Sequence, residues 1–250
     1  MLTNGSYLRS VELLREKIPS STEYPFCIPA IQKLELLHFH PKVTVIIGDN
    51  ATGKSTLLEA IAVGMGFNPE GGSLNFNFTS RSSHSDLYQY IRLVKGIKKP
   101  KNGFFFRAET FYNLATNIEE LDKEMGAGPR IVDSYGGRSL HEQSHGEAFF
   151  AAFTNRFSGQ GLYILDEPEA ALSPLRQMAM LSTIHDLVCK QSQFIITTHS
   201  PIIMAYPNAK ILQLTDKGFE EVEYEQTEHY TVMREFMNNR EKMLKILLES

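Results

Sequence analysis

The chain has 250 residues, 42% of them hydrophobic and 22% charged, enough for one sizeable α/β domain or two small ones with a real core, which excludes disorder, collagen and a small cross-linked scaffold. A formal net charge of -4 excludes a uniform basic coat for nucleic acid or an anionic membrane, although a local basic patch remains open. Cys27 and Cys189 are too few for a disulfide framework or a cysteine zinc site and fit a reducing cytoplasm. Met1 to Ser10 has no apolar leader region, and no apolar run approaches the ~18 to 20 residues that span a bilayer, so neither secretion nor membrane insertion is expected.

In chain order, Tyr7 to Leu14 and Leu34 to His40 alternate as strands do, separated by a loop punctuated by Pro19, Pro25 and Pro29. Val43 to Ile47 is a continuous β-branched run, suited to a central strand buried on both faces. Thr56 to Met65 reads as a helix. Gly66 to Asn102 is rich in glycine and serine, with strand-like runs at Leu74 to Phe78 and Leu87 to Val94, and reads as a strand-rich insertion. Phe104 to Ala108 is a further strand. Phe111 to Met125 is an amphipathic helix carried by Leu114, Ile118 and Leu121.

The second half alternates regularly. A helix over His145 to Phe157 precedes a strand at Leu162 to Leu165, and a helix over Pro174 to Lys190 precedes a strand at Phe194 to Thr197, which predicts a mostly parallel sheet. Lys210 to Leu214 and Glu220 to Tyr224 form a hairpin around Lys217-Gly218. The stripe Tyr230, Met233, Met237, Leu244 and Leu247 predicts one final helix from Glu228 to Leu248 that packs on its own domain.

Directly between the buried strand and the first long helix stands Gly48-Asp49-Asn50-Ala51-Thr52-Gly53-Lys54-Ser55, a G-x-x-x-x-G-K-[ST] loop, followed by Thr56. Its backbone N–H groups and the helix N-terminus can surround the β- and γ-phosphates, Lys54 can neutralise them, and Ser55 can ligate Mg²⁺. The N-K-x-D guanine-reading motif is missing, which favours ATP. Leu162 to Leu165 ends in Asp166-Glu167-Pro168. Asp166 is placed to hold Mg²⁺ through water, and Glu167 to polarise the attacking water as general base.

Together with Asn50, the Asp166-Glu167-Pro168 sequence, the turn Ala171-Leu172-Ser173-Pro174 and Thr198-His199-Ser200, these motifs resemble in type and order the ABC-class ATPases, specifically their soluble SMC-like and repair-type branch. Tyr24-Pro25-Phe26, Arg107-Ala108-Glu109 and Leu140 to Glu147 further resemble a group of compact bacterial ATPases. The resemblance covers nearly the whole chain. It implies a single P-loop NTPase domain over 1–250: a mostly parallel sheet flanked by helices, an antiparallel β subdomain, an insertion at about 66–102 and a signature-bearing helical part at about 111–157. It implies that Ser144, Gly146 and Glu147 begin the signature helix and grip the γ-phosphate bound by a second copy, with His145 in place of the first signature glycine. His199 is then the γ-phosphate switch, and Glu109 a candidate for sensing Mg²⁺ where no Q-loop glutamine is found. Ala51 stands where the family has glycine, which suits a negative φ there.

The expected protein is therefore a cytoplasmic ATPase that forms a homodimer around two ATP-Mg. An ATP-gated regulatory clamp with negligible turnover, acting on nucleic acid or a protein partner, is the alternative; a transporter subunit fits the signature less well. Other patterns carry less. His141-Glu142-Gln143-Ser144-His145 matches the H-E-x-x-H zinc pattern, but Gly136, Gly137 and Ser139 before it place the helix start after His141. His38 and His40 share a strand face, Arg92, Lys95, Lys98, Lys99 and Lys101 form a basic cluster, and Tyr24 or Phe26 could stack on adenine or plug the core.

Overall fold

The computed structural model describes residues 5–74, 85–124, 130–142 and 145–248. The N-terminal part contains β1 (Leu8–Leu13), α1 (Pro29–Gln32), β2 (Leu36–His38) and β3 (Val43–Ile47). Helix α2 (Lys54–Met65) begins two residues earlier than its apolar pattern, because Lys54 and Ser55 already have helical backbone after Gly53. Then come β4 (Gly72–Ser73), β5 (Ile91–Lys95), β6 (Asn102–Arg107), α3 (Phe111–Glu124) and α4 (His145–Arg156). The run at Leu74 to Phe78 lies almost wholly outside the described residues. Leu87 to Val94 divides between a 3-10 turn, Asp86–Gln89, and β5. The chain continues through β7 (Gly161–Asp166), α5 (Pro174–Cys189), β8 (Gln193–Thr197), α6 (Pro201–Met204), β9 (Lys210–Thr215) and β10 (Gly218–Val222), then α7 (Glu228–Asn238) and α8 (Arg240–Leu248).

The strands form a seven-stranded sheet of order β10-β9-β3-β8-β7-β6-β4 and a three-stranded sheet of order β2-β1-β5. Strands β9, β3, β8, β7 and β6 are parallel; β10 and β4 close the edges antiparallel, as do the pairings within the smaller sheet. Strands β3 and β7 are fully buried, as continuous apolar runs require. The pleat splits the core between the faces. Phe104 and Phe106 point to one side with Phe149, Phe153, Phe157 and Tyr163, while Phe105 points to the other with Leu8, Leu58 and Ile164. Phe157 stacks on Tyr163 at 4.3 Å between ring centroids, and the Tyr163 hydroxyl both donates to Ser158 O and accepts from Ser158 N.

One buried amide joins the two sheets. Gln193 Nε2 donates to Leu8 O and His40 O, and its Oε1 accepts from Tyr7 N and Leu8 N, so four backbone groups and the amide satisfy each other with no water needed. Gln193→Leu strands all four groups at about 1–3 kcal/mol each, less whatever relaxation recovers. The expected result is a melting temperature lower by roughly 6 °C or more in a thermal scan, and a shift under ~2 °C would contradict it.

The final helix departs from expectation. It breaks at Asn239, whose φ is -127°, into α7 and α8, neither of which buries a residue. Asn238 and Asn239 are poor helix formers, and the Asn239 side chain turns back to Glu235 Oε1 at 2.8 Å. Met233, Met237 and Leu247 are exposed, at 44%, 71% and 61%, so the apolar stripe packs on its own domain only in part, where Tyr230 meets Tyr224 at 4.7 Å between ring centroids.

Candidate nucleotide site

Strand order brings the motifs together. In a parallel sheet the carboxyl ends of adjacent strands open on one crevice, and β3, β8 and β7 are neighbours that end respectively in the phosphate loop, Thr197 to Ser200, and Asp166-Glu167.

The loop is held from beneath by the proline-punctuated segment: Ala30 N donates to Thr52 O at 3.0 Å. Gly53 takes φ +93°, and a Cβ there would lie 2.0 Å from Ile28 Cγ2, so both conformation and space demand glycine. Ala51 does not meet the condition of a negative φ under which it would replace glycine without strain; at +59° it is left-handed. Lys54 is buried, and its Nζ donates to Gly48 O at 2.8 Å and Asp49 O at 2.6 Å. Burial pushes its pKa down while Glu167 and Asp166 oppose the shift. The ammonium is thus held inside the loop, where an anion can replace the carbonyls as its partner.

Asp166 is buried and accepts from Thr197 Oγ1 at 2.6 Å, with the Ser55 hydroxyl beside it. Burial raises its pKa, and the hydrogen bonds and Arg107 only offset this. Glu167 takes a left-handed φ of 48° at the strand end, its N–H shared between Thr197 O and Thr197 Oγ1. His199 is fixed through its backbone N, which donates to Glu169 Oε1 at 2.5 Å, and its Nε2 lies 3.7 Å from Glu167 Oε1. Buried Gln177 ties the two flanking loops together, donating to Leu172 O and accepting from Ser200 Oγ.

Gly48 to Thr56, Asp166, Glu167 and His199 therefore share one crevice end. Glu109 sits past the end of β6 on the surface, 3.8 Å from Arg107 Nη2. Ser144 lies outside the described residues. Gly146 is buried at the start of α4, where a Cβ would fall 2.2 Å from Ala171 O, and Glu147 pairs with Arg176 at 3.5 Å; both stand beside the 168–171 turn of their own chain. His141 belongs to a 3-10 turn, Leu140–Glu142, and contacts Thr116, while α4 begins only at His145, so the H-E-x-x-H segment is not one helix. His40 Nδ1 caps the backbone of Lys42 and Val43. Phe26 is a core plug, edge-on to Tyr90, and Tyr24 is 66% exposed. In the basic cluster, Arg92 pairs with Glu12, and Lys98, Lys99 and Lys101 are exposed.

Three contributors were given no role in the site by the sequence. Arg107, level with Asp166 across β6 and β7, pairs with buried Glu59 of α2 and has its Nε 3.7 Å from Asp166 Oδ2. Thr197 and His229 are the others. The "Arg107-Ala108-Glu109" motif signals the first; nothing local signals His229.

A phosphate loop on the central strand, paired acids ending a strand two positions away and a histidine ending the strand between them define a P-loop ATPase of the ABC type. The chain belongs to the family described as "AAA domain", whose model matches residues 27–157; a second family model, described as "AAA ATPase domain", matches residues 146–204. It is 30% identical over 194 residues to the Xylose/arabinose import ATP-binding protein XylG of Sulfolobus acidocaldarius, covering 71% of this chain and 74% of that protein. It is 29% identical over 137 residues to the Chromosome partition protein Smc of Methanocaldococcus jannaschii, covering 46% of this chain but only 12% of that protein. The chain spans 51% of the Energy-coupling factor transporter ATP-binding protein EcfA2 of Methanospirillum hungatei. Among solved structures, the SMC head domain from Thermotoga maritima is similar at 17% identity and a TM-score of 0.42, over 86% of this chain and 98% of that one.

Proposed function

We propose that the chain binds ATP with Mg²⁺, hydrolyses it, and pairs with a second copy around two nucleotides, as a single ATPase domain over 1–250. The observation that carries this reading is the meeting of Lys54, Asp166, Glu167 and His199 at the carboxyl ends of adjacent strands. Lys54 and the loop N–H groups bind the phosphates. The buried Asp166 carboxylate, with the Ser55 hydroxyl beside it, fits a hard divalent cation, because a buried oxygen anion with a raised pKa gains most from one. Bound there, Mg²⁺ would offset charge on the β- and γ-phosphates. Glu167 accepts a proton from the attacking water, and His199 holds the γ-phosphate through Nε2. Glu109 at the rim is a candidate to hold a water of the metal. Ser144, together with Gly146 and Glu147 of the first turn of α4, would meet the γ-phosphate of the second copy.

The reading includes a cytoplasmic setting; among the described residues no helix is long and apolar enough to cross a membrane. Relatives that include both import ATP-binding proteins and Smc leave the coupled process open, with nucleic acid and a protein partner both candidates. Turnover and ADP titration of His199→Ala test the reading. Turnover falls by about 10-fold or more while ADP affinity stays within ~twofold, because the ring reaches only the third phosphate. Equal loss of ADP binding would make His199 a structural residue.

A further inference from the structure

Helix α7 borders the nucleotide crevice. A cavity of about 390 Å³ is lined by Gly48, Asp49 and Asn50 of the phosphate loop, by His199, and by His229 and Val232 of α7. Inside it, His229 Nε2 lies 3.2 Å from His199 Nδ1, with the two rings 5.4 Å apart at 45°. The other nitrogen of His199, Nε2, is buried, has no hydrogen-bond partner among the described residues, and lies 3.7 Å from Glu167 Oε1.

We propose that His229 is a positioning residue for His199: it donates from Nε2 to His199 Nδ1 and thereby holds His199 in the tautomer that carries its proton on Nε2. This rests on His199 acting at the γ-phosphate. Neutral imidazole has one N–H and one acceptor nitrogen. Carboxylate oxygens only accept, so the nitrogen that faces Glu167 must carry the hydrogen, and Nδ1 must then accept. The remaining donor at hydrogen-bond distance from Nδ1 is His229 Nε2–H. The opposite tautomer would aim a lone pair at the Glu167 carboxylate. Burial, followed by the neighbouring His199 ring, pushes the His229 pKa below its ordinary value; Lys54 pushes the same way, while Glu228 and Asp49 oppose it. A protonated His229 donates from Nε2, and so does the neutral ring in its Nε2–H tautomer, so the arrangement holds in either charge state of that ring. The ring orientation of His199 is over-determined: Glu169 holds its backbone and His229 its far nitrogen. The C-terminal helix thus reaches the chemistry through His199.

The test combines steady-state kinetics with ¹⁵N-histidine NMR on the full chain as wild type, His229→Leu, His229→Gln, His199→Ala and the double variant His199→Ala/His229→Leu. His229→Leu should lower kcat about 10- to 100-fold with KM for ATP within ~twofold, because ground-state binding is untouched. His229→Gln keeps an N–H donor and should recover to within ~threefold of wild type. In the His199→Ala background, His229→Leu should cost nothing more. NMR should find His199 protonated on Nε2 in the wild type and in the Gln variant, and a tautomer mixture in the Leu variant. An Nδ1-protonated His199 in the wild type, or additive losses in the double variant, would overturn the proposal. If His199→Ala turns over normally, the γ-phosphate reading of His199 fails instead, and the NMR still decides whether His229 sets its tautomer.

Discussion

Replacing Lys54 with alanine removes measurable ATP binding at concentrations that saturate the parent chain. The ammonium sits inside the loop on Gly48 O and Asp49 O, and those carbonyls face the space in which polyphosphate would lie. A charge-assisted hydrogen bond contributes about 1.5–3 kcal/mol, and more where water is excluded, so affinity should fall by roughly 10² or beyond. Burial already disfavours the free ammonium, as its lowered pKa records, so the bound anion relieves a cost that the empty loop carries. Calorimetric titration with ATP reads the loss directly. Affinity within ~threefold of the parent would place the phosphates elsewhere.

Glu167→Gln should retain ATP while losing about 10² or more in turnover, because the amide keeps the shape of the carboxylate but cannot take a proton from water. The backbone geometry favours this separation. Glu167 is positioned by its own N–H, shared by Thr197 O and Oγ1, and not by its side chain, which is 41% exposed. Exchanging the carboxylate for an amide therefore leaves the αL turn and Asp166 in place. A single-turnover assay with bound ATP separates binding from chemistry, and normal turnover would remove Glu167 from the mechanism.

The phosphate loop and the paired acids were legible because each joins a fixed residue spacing to a strong structural context: a continuous β-branched strand before the loop, an apolar strand before the acids. The regular alternation over 145–197 likewise set a parallel sheet, which then forces the ends of β3, β8 and β7 together. The α7–α8 region was legible as helix but not in its placement. An apolar stripe says that a face is available, and only the packing shows that Met233 and Met237 stay exposed while His229 turns into the crevice. The break at Asn239 has a local cause, two consecutive asparagines, which the run of apolar spacings overrode. Ala51 was misjudged for a different reason. A residue type sets the cost of a left-handed φ, roughly 1–2 kcal/mol for a residue with a Cβ, but the curvature that imposes it belongs to the whole loop. Arg107 and Glu59 are 48 residues apart in sequence, and an ion pair of that separation has no periodic signal.

The measurement that bears most directly on the account is light scattering of Glu167→Gln with Mg²⁺ and ATP, with Mg²⁺ and ADP, and without nucleotide. Two subunits of net charge -4 have no electrostatic reason to associate, and the shared γ-phosphate supplies one, since both copies would grip it. The mass should double with ATP alone and stay at that of one chain with ADP or with no nucleotide. An unchanged mass in all three conditions would contradict the nucleotide sandwich while leaving the ATP site of each subunit intact.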